Sequence, residues 1–76
     1  AVAAPGDVEA GLAAADAEVL AGEAAAAFAR LVTLVRDTSG DDRDAVRARL
    51  LELFEVVGPD HPDVAPARVA LANALF

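Results

Sequence analysis

Few residues in this chain can do chemistry, and their spacing decides what they are for. The single histidine, His61, lies in the string Asp60-His61-Pro62-Asp63, where an imidazole beside two carboxylates suggests a metal site or an acid–base pair. Metal sites need at least three converging ligands, and a di-iron bundle needs Glu-x-x-His pairs on two helices, which are absent. Asp and Pro each have a positional role at a helix N-terminus, so the string reads as a helix start. Carboxylates cluster at Asp16/Glu18, Asp41/Asp42/Asp44 and Glu52/Glu55, but general acid–base work needs one of them held in a desolvated cleft, and solvent-facing helical spacing offers none. They read as solvated faces and ion pairs, with Asp44/Arg47 and Arg49/Glu52 at i,i+3. Ser39 is the sole serine and falls in a turn, no phosphate-cradling glycine motif occurs, and there is no cysteine. The chain is expected to be no enzyme, with no catalytic, cofactor-binding or metal-binding residues.

What remains is an architecture, and composition bounds it. At 76 residues the chain is one domain, small enough to bury only about 60% of the surface that its unfolded form exposes. Without cysteine, no disulfide or thiolate-bound zinc can staple so thin a core. Ala leads the composition, and Ala leads the helix-propensity scale. The net charge of −7 argues against nucleic acid, whose binding depends on cations neutralising phosphates, and against an anionic membrane surface. The charge imbalance concentrates early, because Asp7, Glu9, Asp16, Glu18 and Glu23 are met by no cation before Arg30. The longest apolar run, Ala24–Ala29, is far shorter than the roughly 18 residues of a membrane span, so a cytoplasmic setting is expected. Methionine is absent throughout, and a piece from the C-terminal end of a larger protein is the simplest expectation.

Four segments carry apolar residues at helical spacing. After a disordered boundary at residues 1–6, the first opens with Asp7 as a candidate cap and runs to about Ala21, aligning Val8, Leu12, Ala15 and Val19. Gly22 supplies the turn. The second, about Glu23–Asp37, gathers Ala24, Ala27, Phe28, Leu31, Leu34 and Val35 on one face and ends in Thr38-Ser39-Gly40. The third starts in Asp41-Asp42-Arg43-Asp44, places Val46, Leu50, Leu53, Phe54 and Val57 in a stripe, and stops at Gly58-Pro59. The fourth begins near Asp60 and runs to Phe76, with Pro66 as its weak point. Short loops make neighbours antiparallel, so the reading is all-α: two helical hairpins, 7–37 and 41–76, in a single domain of residues 7–76.

Val19-Leu20-Ala21-Gly22-Glu23, followed by Ala27, Leu31 and Leu34, resembles the second half of a tetratricopeptide repeat, with Gly22 at the inter-helix turn and Ala27 at the small-residue position. Glu18 stands where that repeat usually has an aromatic, and no proline follows Asp37. The stretch from Asp41-Asp42-Arg43-Asp44 through Leu50-Leu51-Glu52-Leu53-Phe54-Glu55-Val56-Val57-Gly58-Pro59 to Leu71-Ala72-Asn73-Ala74-Leu75-Phe76 resembles the C-terminus of thioredoxin-like proteins carrying tetratricopeptide repeats, the chaperedoxins. The resemblance implies a right-handed solenoid fragment that binds unfolded client proteins. It also implies that the terminus, with Leu71, Leu75 and Phe76, docks to a GroEL-type chaperonin. The last helix is less basic than in many relatives, since Arg68 is its one cation.

A solenoid unit cannot bury its outer face alone. Val8, Leu12 and Ala15 are therefore expected to stay exposed or to be covered by a partner, a homodimer of the isolated chain included. With Leu71, Leu75 and Phe76 they make up the expected partner-binding set. The alternative is a structural module that dimerises or braces a neighbouring domain and binds no client.

Overall fold

The structure, a computed structural model, describes residues 5–76, with side chains from residue 7 onward. Every regular element in it is helical: α1 (Pro5–Leu20), α2 (Ala24–Asp37), α3 (Gly40–Val57) and α4 (Val64–Leu75). Residues 1–4 of the expected disordered boundary lie outside the described residues. Pro5 and Gly6 belong to the first turn of α1, where proline's missing N–H would have no helical partner anyway. Asp7 is therefore not the cap but a first-turn acid, placed to complement the positive end of the helix dipole.

The turn after α1 is set by Gly22. Its φ of 82° is open to glycine at no steric cost. Gly22 N–H donates to Val19 O at 3.1 Å and Glu23 N–H to Glu18 O at 2.8 Å, the paired bonds of a Schellman motif. Gly58 ends α3 in the same spirit, with φ at 105° and its N–H on Phe54 O at 3.1 Å, and Pro59 then forbids continuation.

Helix α4 begins at Val64, later than the expected start near Asp60. The intervening residues are committed to turns: His61 N–H donates to Gly58 O, Val64 N–H to His61 O, and Asp63 N–H to the His61 ring Nδ1 at 3.1 Å. This late start puts Pro66 in the first turn, where no intrahelical bond is lost. Asp63 occupies the N-cap position, but its side chain makes no capping hydrogen bond.

Helix α2 is the centre of the packing. Its face of Ala24, Ala27, Phe28, Leu31, Val32 and Val35 is buried, and α1, α3 and α4 all pack against it. Helix α4 packs chiefly on α2, while α1 also packs on α3. Gly11 lets α1 come close: a Cβ there would lie 2.8 Å from Leu34 Cδ2. The core's aromatic pair is Phe28 and Phe54, with centroids 5.0 Å apart and planes at 81°, the edge-to-face arrangement that ring quadrupoles favour. The Arg68 guanidinium of α4 lies 5.4 Å from the Phe54 centroid and ties α4 to α3. Thr38, the buried polar residue here, is satisfied through Oγ1–H to Leu34 O at 2.7 Å.

This packing overturns the expectation for the α1 stripe. Ala15 is fully buried, Val8 nearly so, and Leu12 is partly buried against the core. The reason is that α2 and α3 both reach α1, so two helices of the same chain cover what was expected to need a second molecule.

Phe54 joins three of the four helices, so its replacement should be felt globally. Phe54→Leu is expected to lose about 1–2 kcal/mol through the ring pair and the cation contact. Phe54→Ala is expected to lose about 3–5 kcal/mol and leave much of the chain unfolded, since domains hold only about 5–15 kcal/mol in all. Urea titration followed by far-UV circular dichroism checks both.

Candidate protein-interaction surface

The residues singled out in the sequence do not form one surface. Val8, Ala15 and Leu71 are interior, Leu12 and Leu75 are partly covered, and Phe76 is fully exposed. The position of Phe76 follows from the helix. Its N–H donates to Ala72 O at 3.1 Å, so Phe76 is the C-cap of α4. Val69, midway along the same helix, is 63% exposed.

Between α2 and α4 runs an apolar groove of about 360 Å³. The buried Phe28, Val32 and Ala67 form its floor, and the exposed Ala25, Ala29 and Pro66 its edges. Thr33 and Asp63 are the polar residues in its lining. The sequence signal for this groove was small residues at i,i+4, with Ala25/Ala29 on α2 and Pro66/Ala70 on α4. Helix propensity alone accounts for these alanines, which hid it.

The electrostatics are better compensated than chain order suggests. Arg30 grips Glu18 with two donors, Nε at 2.8 Å and Nη2 at 3.3 Å, linking α2 to the end of α1. The hydrogen bond from Arg30 holds the Glu18 carboxyl below its ordinary value, its positive charge adds to the effect, and Arg30 is correspondingly raised. Asp16 pairs with Arg49 of α3, which also lies 3.7 Å from Glu52 as the helical spacing predicted. Asp16 and Glu18 are thus each paired with a cation distant in sequence. Asp44 and Arg47 form no ion pair among the described residues. His61 Nδ1 accepts from the Asp63 N–H at 3.1 Å, and the Asp63 carboxylate lies 3.7 Å from the same nitrogen. Among the described residues no three His, Cys, Asp or Glu converge as a metal site, and no helix is long and apolar enough to cross a membrane.

Four helices, a glycine turn inside the first pair and an α1 that needs a glycine for close contact with α2 fit a helical repeat. The sequence profile of the tetratricopeptide repeat matches residues 1–76. The chain belongs to the tetratricopeptide-repeat family. Repeats of this family generally mediate protein–protein interaction and are typically not catalytic. Relatives of this repeat include "Uncharacterized protein Rv1324" of Mycobacterium tuberculosis and "Uncharacterized protein Mb1359" of Mycobacterium bovis. Each is 53% identical over 70 residues, covering 92% of this chain and 23% of the relative. The repeat thus spans under a quarter of the length of those proteins. No solved structure gives a significant match.

The Glu18–Arg30 pair gives a pH signature. A carboxyl held lower in the folded state than in the unfolded one contributes stability above the unfolded value, and this is lost as pH falls through the folded value. Stability should therefore drop as pH is lowered below the ordinary glutamate value of 4.5, and Glu18→Gln should reduce that slope. Urea midpoints across the acid range for the two proteins test it, and superimposable profiles would contradict it.

Proposed function

We propose that this chain is the protein-interaction module of a thioredoxin-like co-chaperone of the cytoplasm, binding client or partner polypeptides and engaging a GroEL-type chaperonin through its C-terminal helix. The observation that carries the interaction half is the tetratricopeptide-repeat match over the whole chain. The co-chaperone half draws its support from the resemblance of residues 41–76 and from the fully exposed Phe76, which the helical main chain presents at the tip of α4. Of the residues expected to contact partners, Leu75 and Phe76 are the ones this reading retains. Val8, Ala15 and Leu71 act from the interior, by fixing the helices that present the surface.

The mechanism is recognition rather than bond chemistry. An exposed aromatic beside a partly covered leucine is the kind of anchor that fills a pocket on a partner, and such anchors dominate interface energetics.

Deleting Leu75 and Phe76 is expected to abolish capture of the purified chaperonin by the immobilised chain while leaving the helical content intact. Aggregation of a chemically unfolded client should be slowed by the unmodified chain. Undiminished chaperonin capture after the deletion would refute the docking role. Unslowed client aggregation, together with concentration-dependent stability, would favour a structural dimerisation module instead.

A further inference from the structure

We propose that the groove between α2 and α4 is a docking site for an amphipathic helical segment that inserts an apolar side chain and sets a lysine or arginine against Asp63. The proposal rests on the reading of the chain as a protein-interaction module and names the partner chemistry of one of its surfaces.

The groove's size and lining set the first requirement. At about 360 Å³ it stands at the small end of the ~300–1,000 Å³ range of ligand pockets, and its floor of Phe28, Val32 and Ala67 carries no polar side chain. A small-molecule site fixes orientation with several convergent polar groups, whereas here Thr33 and Asp63 are the polar residues in the lining. The volume suits one or two apolar side chains. Exposed alanines on the α2 edge, at positions 25 and 29, allow the main chain of a docking helix to approach closely, as in helix-in-groove recognition.

Charge selects the occupant. Asp63 lines the groove and meets no arginine among the described residues; its neighbour is His61, whose Nδ1 accepts a hydrogen bond from the Asp63 N–H. Asp60 adds a second exposed acid in the preceding turn. A cation on the incoming segment would meet a carboxylate that no arginine holds, beside its apolar anchor. A second copy of the chain is disfavoured as occupant, because each copy carries a net charge of −7.

The test uses the 76-residue chain and two probes: a three-turn helical peptide with a leucine stripe flanked by lysines, and its twin with glutamates in place of the lysines. Amide chemical shifts of the labelled chain are followed during titration. The lysine peptide should bind more tightly than the twin and shift Ala25, Ala29, Ala67 and Ala70, with Leu75 and Phe76 little affected. Ala29→Gln, at an exposed helical position, should weaken the lysine peptide at least tenfold by filling the groove. Asp63→Asn, which removes no capping bond, should weaken it about one-and-a-half- to fivefold, the range a partly exposed ion pair gives, and leave the twin unchanged. Equal affinity for the two peptides, or no binding of either, would overturn the proposal. Shifts confined to Leu75 and Phe76 would also overturn it while leaving the interaction-module reading intact, since that reading is decided separately by client and chaperonin capture.

Discussion

The contact between Phe28 of α2 and Phe54 of α3 is where the four helices become one body. Phe28 belongs to the buried face of α2, which every other helix packs against, and Phe54 receives Arg68 of α4. A chain this short has little apolar surface to bury, so its core must be shared by all elements rather than divided between two independent hairpins. Placing the two largest buried side chains at the junction achieves that. Polar links then fix the periphery: Arg30 joins α2 to Glu18 of α1, and Arg49 joins α3 to Asp16 of α1.

This sharing determines which surfaces are left for partners. Because α1 is enclosed by α2 and α3, its apolar stripe contributes to the core. The α4 side carries the groove beside α2 together with the exposed Val69 and Phe76, while Leu20 of α1 and Leu51 and Val56 of α3 are exposed elsewhere. The features on the α4 side depend on where α4 lies. The turn of residues 58–63, held by hydrogen bonds to the Gly58 carbonyl and the His61 ring, sets that position. The residue that first suggested catalysis thus has a structural task, organising the backbone that delivers Asp63 to the groove.

Much of this was legible in the sequence. The all-α class, the breaks at Gly22 and Gly58-Pro59, and nearly every residue of the α2 face followed from periodicity and glycine chemistry, which are local properties. The start of α4 was placed too early because Asp-His-Pro-Asp supplies good cap residues at several positions, and only the turn bonds decide among them. The fate of Val8 and Ala15 was misjudged because periodicity says that a face is apolar without saying what covers it. The ion pairs of Asp16 and Glu18 escaped notice for the same reason, since their partners lie 33 and 12 residues away. The groove was hidden because its edges are alanines, which propensity already explained.

One chain closes its own core around α2, and α1 is covered from within the same molecule. Amide hydrogen exchange of the isolated 76-residue chain across a wide concentration range tests this most directly. The slowest amides should be those of Ala27, Phe28, Leu31 and Val35, with α1 from Val8 to Ala15 protected alongside them equally at every concentration. Protection of α1 that appears only as concentration rises would show that a second molecule, and not α2 and α3, covers that helix, and would contradict the account.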